Sequence, residues 1–544
     1  MTLNTFHFLR PLRVIVWLML MAVHASACSS DQEQNDHDEN TALQEIRQPA
    51  VEFYPDLPWV NVSRPIVLDD LRGKVVILDF WTYGCINCIH VLADLKKLEE
   101  KYGENLAVIG VHTPKFKNEE NIETLRNIIV RYGIDHPVVH DVGSVLGSIY
   151  GMRAWPTQVM IDPEGYILGG VTGENHYELF DELISELIVE HRDIMEPTPL
   201  PLALEKEKFA TSLLAAPGKI TATDDRVAIS DTLHHRIILT DQNGKIQAIY
   251  GGTGAGMVDG DAESARFHSP QGLAFSKNGL FVADTGNHVI RYIDLLSGQV
   301  QTVAGTGKIE RHRYGEFDAL SVGLASPWGL AYHGTSLYVA MAGSHQIWRY
   351  DATEGNISSW AGSGREGIRD GHIKTATFSQ PSGLSIIDDW LYVADSEDSA
   401  VRRIHLHKQQ VETLVGTGLF DFGDRDGAFK QAQLQHVLGV AALNSSTILI
   451  VDTYNHKLKS LDLRNEVITS IAGDGKPGST ITHSGNIRLN EPGGLTVHGQ
   501  QVLIADTNNH RILAYDLETM QTRVWALTPS DSRDRQARSS SDTE

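Results

Sequence analysis

The feature that most constrains the fold is an internal repeat in the C-terminal three-fifths of the chain. One short motif recurs with its aspartate at Asp231, Asp284, Asp395, Asp452 and Asp506. The intervals are 53, 111, 57 and 54 residues, and the long interval holds two repeats with Met341 in the aspartate position. Each repeat joins short β-branched or aromatic runs by Gly, Asn and Asp, as in strands linked by turns. Because one repeat cannot bury both of its faces, six repeats are predicted to close into a β-propeller over residues 209–528.

The repeated polar residues are expected to serve the repeat itself. Residues 284–288, 452–456 and 506–510 read Asp-Thr-x-Asn-His, and residues 231–235 are a variant. Such side chains hydrogen-bond nearby backbone groups, so they are predicted to shape the turn between the second and third strands of each blade. A functional site would instead use residues that break the pattern. Met341 and Glu397 are candidates on that ground.

Three cysteines occur in the 544 residues, each in a recognisable context. Cys85 and Cys88 form a Cys-x-x-Cys pair, and Cys28 follows an apolar N-terminal stretch. The pair could be half of a zinc site, but the sequence has no second pair to complete one. A redox couple at Cys85 and Cys88 is therefore the favoured interpretation.

The region around the Cys pair alternates strand and helix patterns. Residues 75–81 are almost continuously apolar, as expected of a strand covered on both faces, and a helical stripe follows the Cys pair until Gly103. Further strands are predicted at 106–111, 138–140, 157–161 and 166–171, and further helices at 119–132 and 177–191. Residues 49–192 are thus predicted to form an α/β domain with crossover helices.

This frame puts the Cys pair where a central strand ends and a helix begins. Cys85 then lies at the helix N-terminus, where exposed amides and the helix dipole favour a thiolate. Cys88 lies one turn along, close enough to attack a mixed disulfide on Cys85. His90 is expected to be a solvated helix residue without a role.

Two further residues support redox chemistry. Asp79 lies inside the apolar strand, where desolvation should raise its pKa and let it exchange protons near neutral pH. Its alternative role is that of a hydrogen-bonded structural carboxylate. Pro156 follows Trp155 just before a strand, which suits a cis peptide bond, although an ordinary trans turn proline is the alternative.

Together these motifs resemble a thioredoxin-fold domain of the extracytoplasmic thiol-reductase type. The resemblance implies Cys85 as nucleophile, Cys88 as resolving thiol, Asp79 as buried proton acceptor and Pro156 as the cis-proline facing the disulfide. Ile86-Asn87 departs from the family's more familiar Gly-Pro or Pro-Pro between the cysteines. Because that pair of residues tunes the redox potential in the family, the direction of electron flow is open, with reduction or isomerisation of disulfides favoured.

The propeller repeats resemble NHL repeats. A thioredoxin-like domain with Cys-Ile-Asn-Cys followed by an NHL propeller resembles the NHL-repeat-containing protein 2 family, over about residues 49–527. The fold class is therefore expected to be multidomain, an α/β thioredoxin fold followed by an all-β six-bladed propeller. Residues 193–208 are predicted to be a proline-stiffened linker and residues 529–544 a disordered tail.

The N-terminus is typical of an export signal. Arg10 and Arg13 precede an apolar stretch at residues 14–23 and a small-residue site at 25–27, so residues 1–27 are predicted to be a signal peptide. Cys28 then resembles a bacterial lipobox cysteine, with Ala25 departing from the usual leucine. The prediction is a lipoprotein on the extracytoplasmic, periplasmic side of the cell envelope, with residues 28–48 as a flexible acidic tether. Plain secretion or an uncleaved anchor are the alternatives.

The net charge restricts the class of partner that the protein can bind. The net charge of −23 argues against nucleic acid. The leading hypothesis is a membrane-tethered thiol–disulfide oxidoreductase that acts on a protein disulfide or thiol, needs an unidentified electron donor, and uses no cofactor or metal. One alternative is an interaction scaffold with an idle or sensing redox domain. Another is a metal-dependent propeller enzyme, as in the NHL-type propellers of peptide-amidating lyases.

Overall fold

The computed structural model describes residues 47–208, 212–482 and 487–529. In these ranges a thioredoxin-like α/β domain is followed by a six-bladed β-propeller, which confirms the predicted fold class. The predicted signal peptide, Cys28, most of the tether and the tail from residue 530 lie outside them. In the described ranges, no helix has the length and apolar character needed to cross a bilayer.

The α/β domain is built on one seven-stranded sheet with the strand order β1-β7-β6-β3-β4-β5-β2. Strands β3, β4 and β5 run parallel, and the other neighbours pair antiparallel. The strands are β1 (Gln48–Pro49), β2 (Trp59–Val60), β3 (Val75–Trp81), β4 (Leu106–His112), β5 (Val138–His140), β6 (Thr157–Ile161) and β7 (Tyr166–Thr172). The helices are α1 (Ile86–Tyr102), α2 (Ile122–Arg131), α3 (Val145–Ile149) and α4 (Tyr177–Glu190).

Burial explains why this sheet has β3 at its centre. All seven residues of β3 are buried, with β4 on one side and β6 on the other. Helix α1 buries Val91, Leu95 and Leu98 against this sheet, in one core with Val75 and Ile77. It ends at Gly103, whose φ of 52° favours glycine. The end of β3 and the start of α1 are therefore rigidly placed, and the Cys pair lies between them.

Each propeller blade is an antiparallel sheet of four consecutive strands with the first of the four innermost, and blades 3, 4 and 5 have one short additional strand at the outer edge. Blades 1 and 2 comprise β8 (Pro217–Ala222), β9 (Arg226–Asp231), β10 (Arg236–Asp241) and β11 (Ile246–Gly251), then β12 (Leu273–Phe275), β13 (Gly279–Asp284), β14 (Val289–Asp294) and β15 (Val300–Ala304). Blades 3 and 4 comprise β16 (Glu316–Asp318), β17 (Pro327–His333), β18 (Ser336–Met341), β19 (Gln346–Asp351) and β20 (Asn356–Ala361), then β21 (Gly371–His372), β22 (Pro381–Ile387), β23 (Trp390–Asp395), β24 (Ala400–His405) and β25 (Gln410–Val415). Blades 5 and 6 comprise β26 (Gly427–Ala428), β27 (Gly439–Asn444), β28 (Thr447–Asp452), β29 (Lys457–Asp462) and β30 (Val467–Ala472), then β31 (Gly494–His498), β32 (Gln501–Asp506), β33 (Arg511–Asp516) and β34 (Thr522–Val524).

The ring closes between the last blade and the first. Strand β31 of blade 6 lies beside β8 of blade 1, as the innermost strands do around the rest of the ring. Near the C-terminal end, Thr528 exchanges backbone hydrogen bonds with Gly244 and Ile246 of blade 1. These contacts join the last blade to the first, as the closed ring of a propeller requires.

The repeated motif builds the turns, as predicted, and the structure shows that it also joins neighbouring blades. In blade 5 the Asp452 carboxylate accepts from the Gln435 amide at 2.8 Å, and Thr453 Oγ1 donates to the Pro492 carbonyl of blade 6 at 2.9 Å. In blades 2, 4 and 5 the motif aspartate pairs with a buried base seven residues later, as Asp452 does with Lys459 at 2.9 Å, whereas both positions are apolar in blade 3. There Met341 and Trp348 are buried in the same core cluster, so Met341 packs the blade.

The connector between the domains is held against the α/β domain. Ala203 donates its amide to the Asn61 carbonyl at 2.9 Å, and the Glu205 amide donates to the Asn61 side chain at 2.9 Å. Leu202 forms an isolated bridge with Val62. These bonds tie residues 202–205 to the domain that they follow.

Candidate active site

The two cysteines lie where the sequence predicts, at the start of α1. Cys85 is the N-cap residue of the helix, with φ −90° and ψ 114°, and its carbonyl accepts the amide of Cys88 at 3.1 Å. Both residues are free thiols, with Cys85 half-buried and Cys88 buried. Burial raises the pKa of Cys88 well above its usual value, and the neighbouring Cys85 and Asp79 raise it further. Cys88 therefore needs a base before it can act as a nucleophile.

Asp79 is placed to be that base. It is fully buried in β3, and Gln158 Nε2 donates to its Oδ1 at 3.0 Å. Desolvation raises the pKa of Asp79 to about 6, although Gln158 and the nearby His136 lower it. Its Oδ2 has no hydrogen-bond partner among the described residues. A carboxylate with a free oxygen and a pKa near 6 suits proton transfer at neutral pH.

The fourth predicted residue, Pro156, follows a cis peptide bond from Trp155. Trp155 and Cys85 pack at the edge of the same apolar cluster, which also contains Cys88. The structure thus brings Cys85, Cys88 and Pro156 to one end of the sheet. Asp79 lies close enough to Cys88 for its charge to raise the pKa of that thiol.

A buried carboxylate missed by the sequence analysis holds the loop before the cysteines. Glu119 is fully buried and accepts four hydrogen bonds, from the Thr82 hydroxyl and from the amides of Gly84, Lys115 and Phe116. Burial raises its pKa to about 7 despite these donors. Glu119 therefore ties the segment leading into Cys85 to the turn at residues 117–120.

That end of the α/β domain is docked on one face of the propeller. The face carries the 3-10 turns after β18 and β28 and the long loops that lead into the innermost strands. The backbone amide of Ile86 lies in the first turn of α1, where the helix itself offers no acceptor. It donates to Gln380 Oε1 at 2.6 Å. Asn87 accepts from Arg311 at 3.0 Å. The docked surface thus includes both residues between the two cysteines.

Asn118 is the centre of the polar docking contacts. Its Nδ2 donates to Glu491 Oε1 at 2.6 Å, and its amide donates to Gln435 at 3.2 Å. His456 Nδ1 accepts the Glu491 amide, which leaves Nε2–H to donate to Asn118 Oδ1 at 2.9 Å. Tyr83 donates to the same Glu491 oxygen at 3.1 Å. Five residues from both domains therefore form one buried network.

An apolar patch and an ion pair complete the contact. The Phe116 ring packs on Phe422 at 4.8 Å and on His436 at 5.2 Å between ring centroids. Lys115 pairs with Glu397. Burial opposes the charge of Lys115, but Glu397 outweighs this effect and raises the pKa of the lysine. Glu397, a residue that breaks the repeat motif, thus binds the α/β domain, whereas Met341 does not.

The prediction that His90 is solvated and without a role is wrong. His90 is 8% exposed and lies between the domains. Burial and the nearby Arg311 lower its pKa to about 3, so the ring is neutral. Its Nδ1 then donates to Glu174 at 2.6 Å, and its Nε2 accepts from Ser326 of the propeller at 2.6 Å. The sequence gives no sign of this, because both partners are remote in the chain.

The comparisons with known proteins agree with this architecture. A thioredoxin-like family profile matches residues 73–167, and an NHL-repeat profile matches residues 489–515. NHL repeat-containing protein 2 of Homo sapiens is 39% identical over 520 residues, which cover 88% of this chain and 72% of the human protein. The chain belongs to the NHL repeat-containing protein 2 family. Because the aligned segment covers 88% of this chain, it includes parts of both domains.

Two other relatives extend the comparison. Protein SUPPRESSOR OF QUENCHING 1, chloroplastic, of Arabidopsis thaliana is 40% identical over 489 residues, 86% of this chain and 46% of that protein. Thiol-disulfide oxidoreductase ResA of Bacillus anthracis is 29% identical over 125 residues, 23% of this chain and 70% of that protein. The thioredoxin-like domain of this NHL repeat-containing protein 2 relative is therefore related to thiol–disulfide oxidoreductases.

The histidines of the propeller do not assemble a metal centre in the described part of the chain. No three His, Cys, Asp or Glu side chains within residues 47–208, 212–482 and 487–529 are grouped so that they could hold an ion. The motif histidines instead bridge neighbouring blades, as His456 does with Glu491.

Proposed function

We propose that the protein is a thiol–disulfide oxidoreductase that works through Cys85 and Cys88. The observation that carries this proposal is the placement of a half-exposed thiol at a helix N-terminus, with a buried thiol and a buried carboxyl group behind it. Cys85 is the N-cap residue of α1, and the charged Lys115 is close enough to interact with it.

The proposed exchange has two steps. The Cys85 thiolate attacks a substrate disulfide, the substrate S–S bond breaks, and one substrate thiolate leaves while a mixed disulfide forms. Cys88 then transfers its proton to Asp79 and attacks Cys85 Sγ, which releases the second substrate thiol. The substrate gains two electrons and the chain keeps a Cys85–Cys88 disulfide. A dithiol donor must reduce that disulfide before the next turnover.

Trapping of the mixed disulfide tests this order. In a Cys28→Ser background, Cys88→Ser should accumulate a covalent adduct at Cys85 with a disulfide substrate, because the resolving thiol is missing. The matched Cys85→Ser variant should trap none, since Cys88 is buried. Intact mass and peptide mapping would identify the adduct. Equal trapping at both positions, or at neither, would favour the alternative of a redox-idle scaffold.

We also propose that the protein is exported and tethered to a membrane through Cys28. The support is the sequence of residues 10–28, with its basic flank, apolar core and small residues before the cysteine. The mature protein should begin at Cys28 and carry acyl chains, and Cys28→Ser should release it from the membrane fraction. A full-length N-terminus in the cytosolic fraction would refute this location.

The propeller is proposed to act as an interaction module, but one of its faces is occupied by the α/β domain. A protein partner would therefore bind the opposite face or the outer rim. Pull-down with variants on the opposite face, where the hairpin turns such as residues 463–466 lie, would locate such a partner.

A further inference from the structure

We infer that the substrate of the Cys pair is a low-molecular-weight disulfide, because the propeller covers the surface through which a folded protein would reach Cys85. This inference rests on the proposed exchange chemistry. It adds the substrate class, and it makes the docked arrangement of the two domains the working form of the enzyme.

The first argument is burial on both sides of Cys85. Tyr83 and Ile86, two residues before and one residue after the thiol, are 3% and 5% exposed. Gly84 is pressed against the propeller so closely that a Cβ there would lie 3.3 Å from His436 Cε1. The residues that flank the nucleophile are thus in contact with the chain's own propeller.

The second argument is that specific bonds hold the propeller over the surface around Cys85. The Ile86 amide and the Asn87 side chain are each bonded to the propeller, through Gln380 and Arg311. Arg311 also pairs with Glu174. The bond from Ile86 to Gln380 is buried, so it costs more to break than a surface contact does, since breaking it leaves an unsatisfied group behind. A protein substrate would have to displace these bonds before its disulfide met Cys85.

The third argument concerns the side from which a substrate can still approach Cys85. Cys85 keeps part of its surface exposed. Arg153 and Ala154 are exposed in the segment before Pro156, and Trp155 is half-buried there. Disulfide exchange needs the attacking sulfur in line with the bond that breaks, so the substrate sulfur must approach the exposed part of Cys85. A disulfide with short flexible arms can enter, whereas one embedded in a folded surface brings neighbouring atoms into the propeller loops.

The experiment presents a 2-mercaptoethanol disulfide to the Cys pair on two carriers, a small molecule and a folded protein. The reduced full chain, in a Cys28→Ser background, is oxidised either by bis(2-hydroxyethyl) disulfide or by a folded protein whose surface cysteine carries 2-mercaptoethanol as a mixed disulfide. The measured quantity is the second-order rate constant for loss of the two thiols. The small disulfide is expected to react at least about tenfold faster, after correction with free dithiothreitol for the intrinsic reactivity of each disulfide.

Asn118→Ala then loosens the docked state, since it removes the side-chain bonds of Asn118 to Glu491 and His456 and leaves each of these residues one partner short. The rate with the protein carrier should rise about tenfold, while the rate with the small disulfide stays the same. Asn465→Ala is the matched control, because Asn465 is exposed on the opposite face and bonds only within its own turn. It should change neither rate.

Each outcome decides between the claims. Equal corrected rates with the two carriers in the parent protein would overturn the substrate class while leaving the exchange chemistry intact. Failure of both carriers to oxidise a chain with two titratable thiols would instead refute the proposed function. If Asn118→Ala fails to fold, alkylation of the parent protein by iodoacetamide and by a protein-linked iodoacetamide supplies the same comparison. Equal alkylation rates would overturn the inference without any redox step.

Discussion

At the scale of single residues, burial gives Asp79 a pKa that suits the proposed proton transfer, but the same burial lowers the stability of the folded state at neutral pH. Its pKa is raised by desolvation to about 6, while an unfolded aspartate titrates near 3.8. The folded state therefore holds the proton more tightly. The contribution of Asp79 to stability is fully present below pH 3.8 and is lost as the pH rises through 6.

Asp79→Asn should therefore give a more stable and less active protein. Removal of a buried charge should raise the free energy of unfolding at pH 8 by about 2–3 kcal/mol, as measured by urea titration. The rate at which Cys88 resolves the mixed disulfide should fall about a hundredfold. In the parent protein that rate should rise with pH through about 6, and the variant should lose this rise. A variant with unchanged resolution would show that Asp79 is only a structural carboxylate.

At the scale of elements, Glu119 connects the 3-10 turn at residues 117–120 to the loop that leads into Cys85. The Glu119 carboxylate in this turn accepts from Thr82 and Gly84 of that loop. The adjacent Asn118 donates to Glu491 of the propeller. The turn therefore contacts both the loop that leads into Cys85 and the propeller.

Glu119→Ala should destabilise the α/β domain by about 2–4 kcal/mol, since it leaves buried donors of this loop unsatisfied. Urea unfolding followed by tryptophan fluorescence would measure this. Glu120→Ala is the adjacent control, because Glu120 is exposed and its side chain pairs with Lys117 of the same turn. Similar losses from the two variants would contradict the role given to Glu119.

The elements of the α/β domain were predictable because their patterns are local. The buried run of β3, the apolar stripe of α1 and the glycine that ends it are all visible in consecutive residues. Asp79 and Pro156 were found in the same way. His90, Asn118 and Glu119 were missed because their burial depends on residues that are distant in the sequence, and no periodicity records a contact between domains. Only Glu397 gave a signal, as a departure from the repeat.

At the scale of the whole molecule, histidines join the propeller blades. The Nδ1 atoms of His235, His345, His456 and His510 each accept a backbone amide from the next blade, at 2.9–3.2 Å. Between blades 4 and 5 the acceptor is instead Ser399 Oγ, at 3.1 Å from the His436 amide. A protonated histidine cannot accept these bonds, so the closed ring depends on neutral rings.

Propeller stability should therefore fall in acid. Burial lowers the pKa of His235 to about 4, below the value of about 6.5 in an unfolded chain. A depressed pKa gives stability that is present above pH 6.5 and is lost as the pH falls toward 4, at about 1–2 kcal/mol per histidine by pH 5. His235→Ser, which copies the Ser399 junction, should flatten the dependence of the unfolding midpoint on pH. An unchanged slope would contradict this account of the ring.

The most direct test of the central claim is the reduction potential of the Cys85–Cys88 couple in the full chain. The Cys28→Ser protein would be equilibrated in dithiothreitol and glutathione buffers, and its thiols counted by alkylation and intact mass. The account predicts one reversible two-electron transition, near the value of about −270 mV that is typical of a thioredoxin reductant. A chain that forms no Cys85–Cys88 disulfide in any buffer would contradict it.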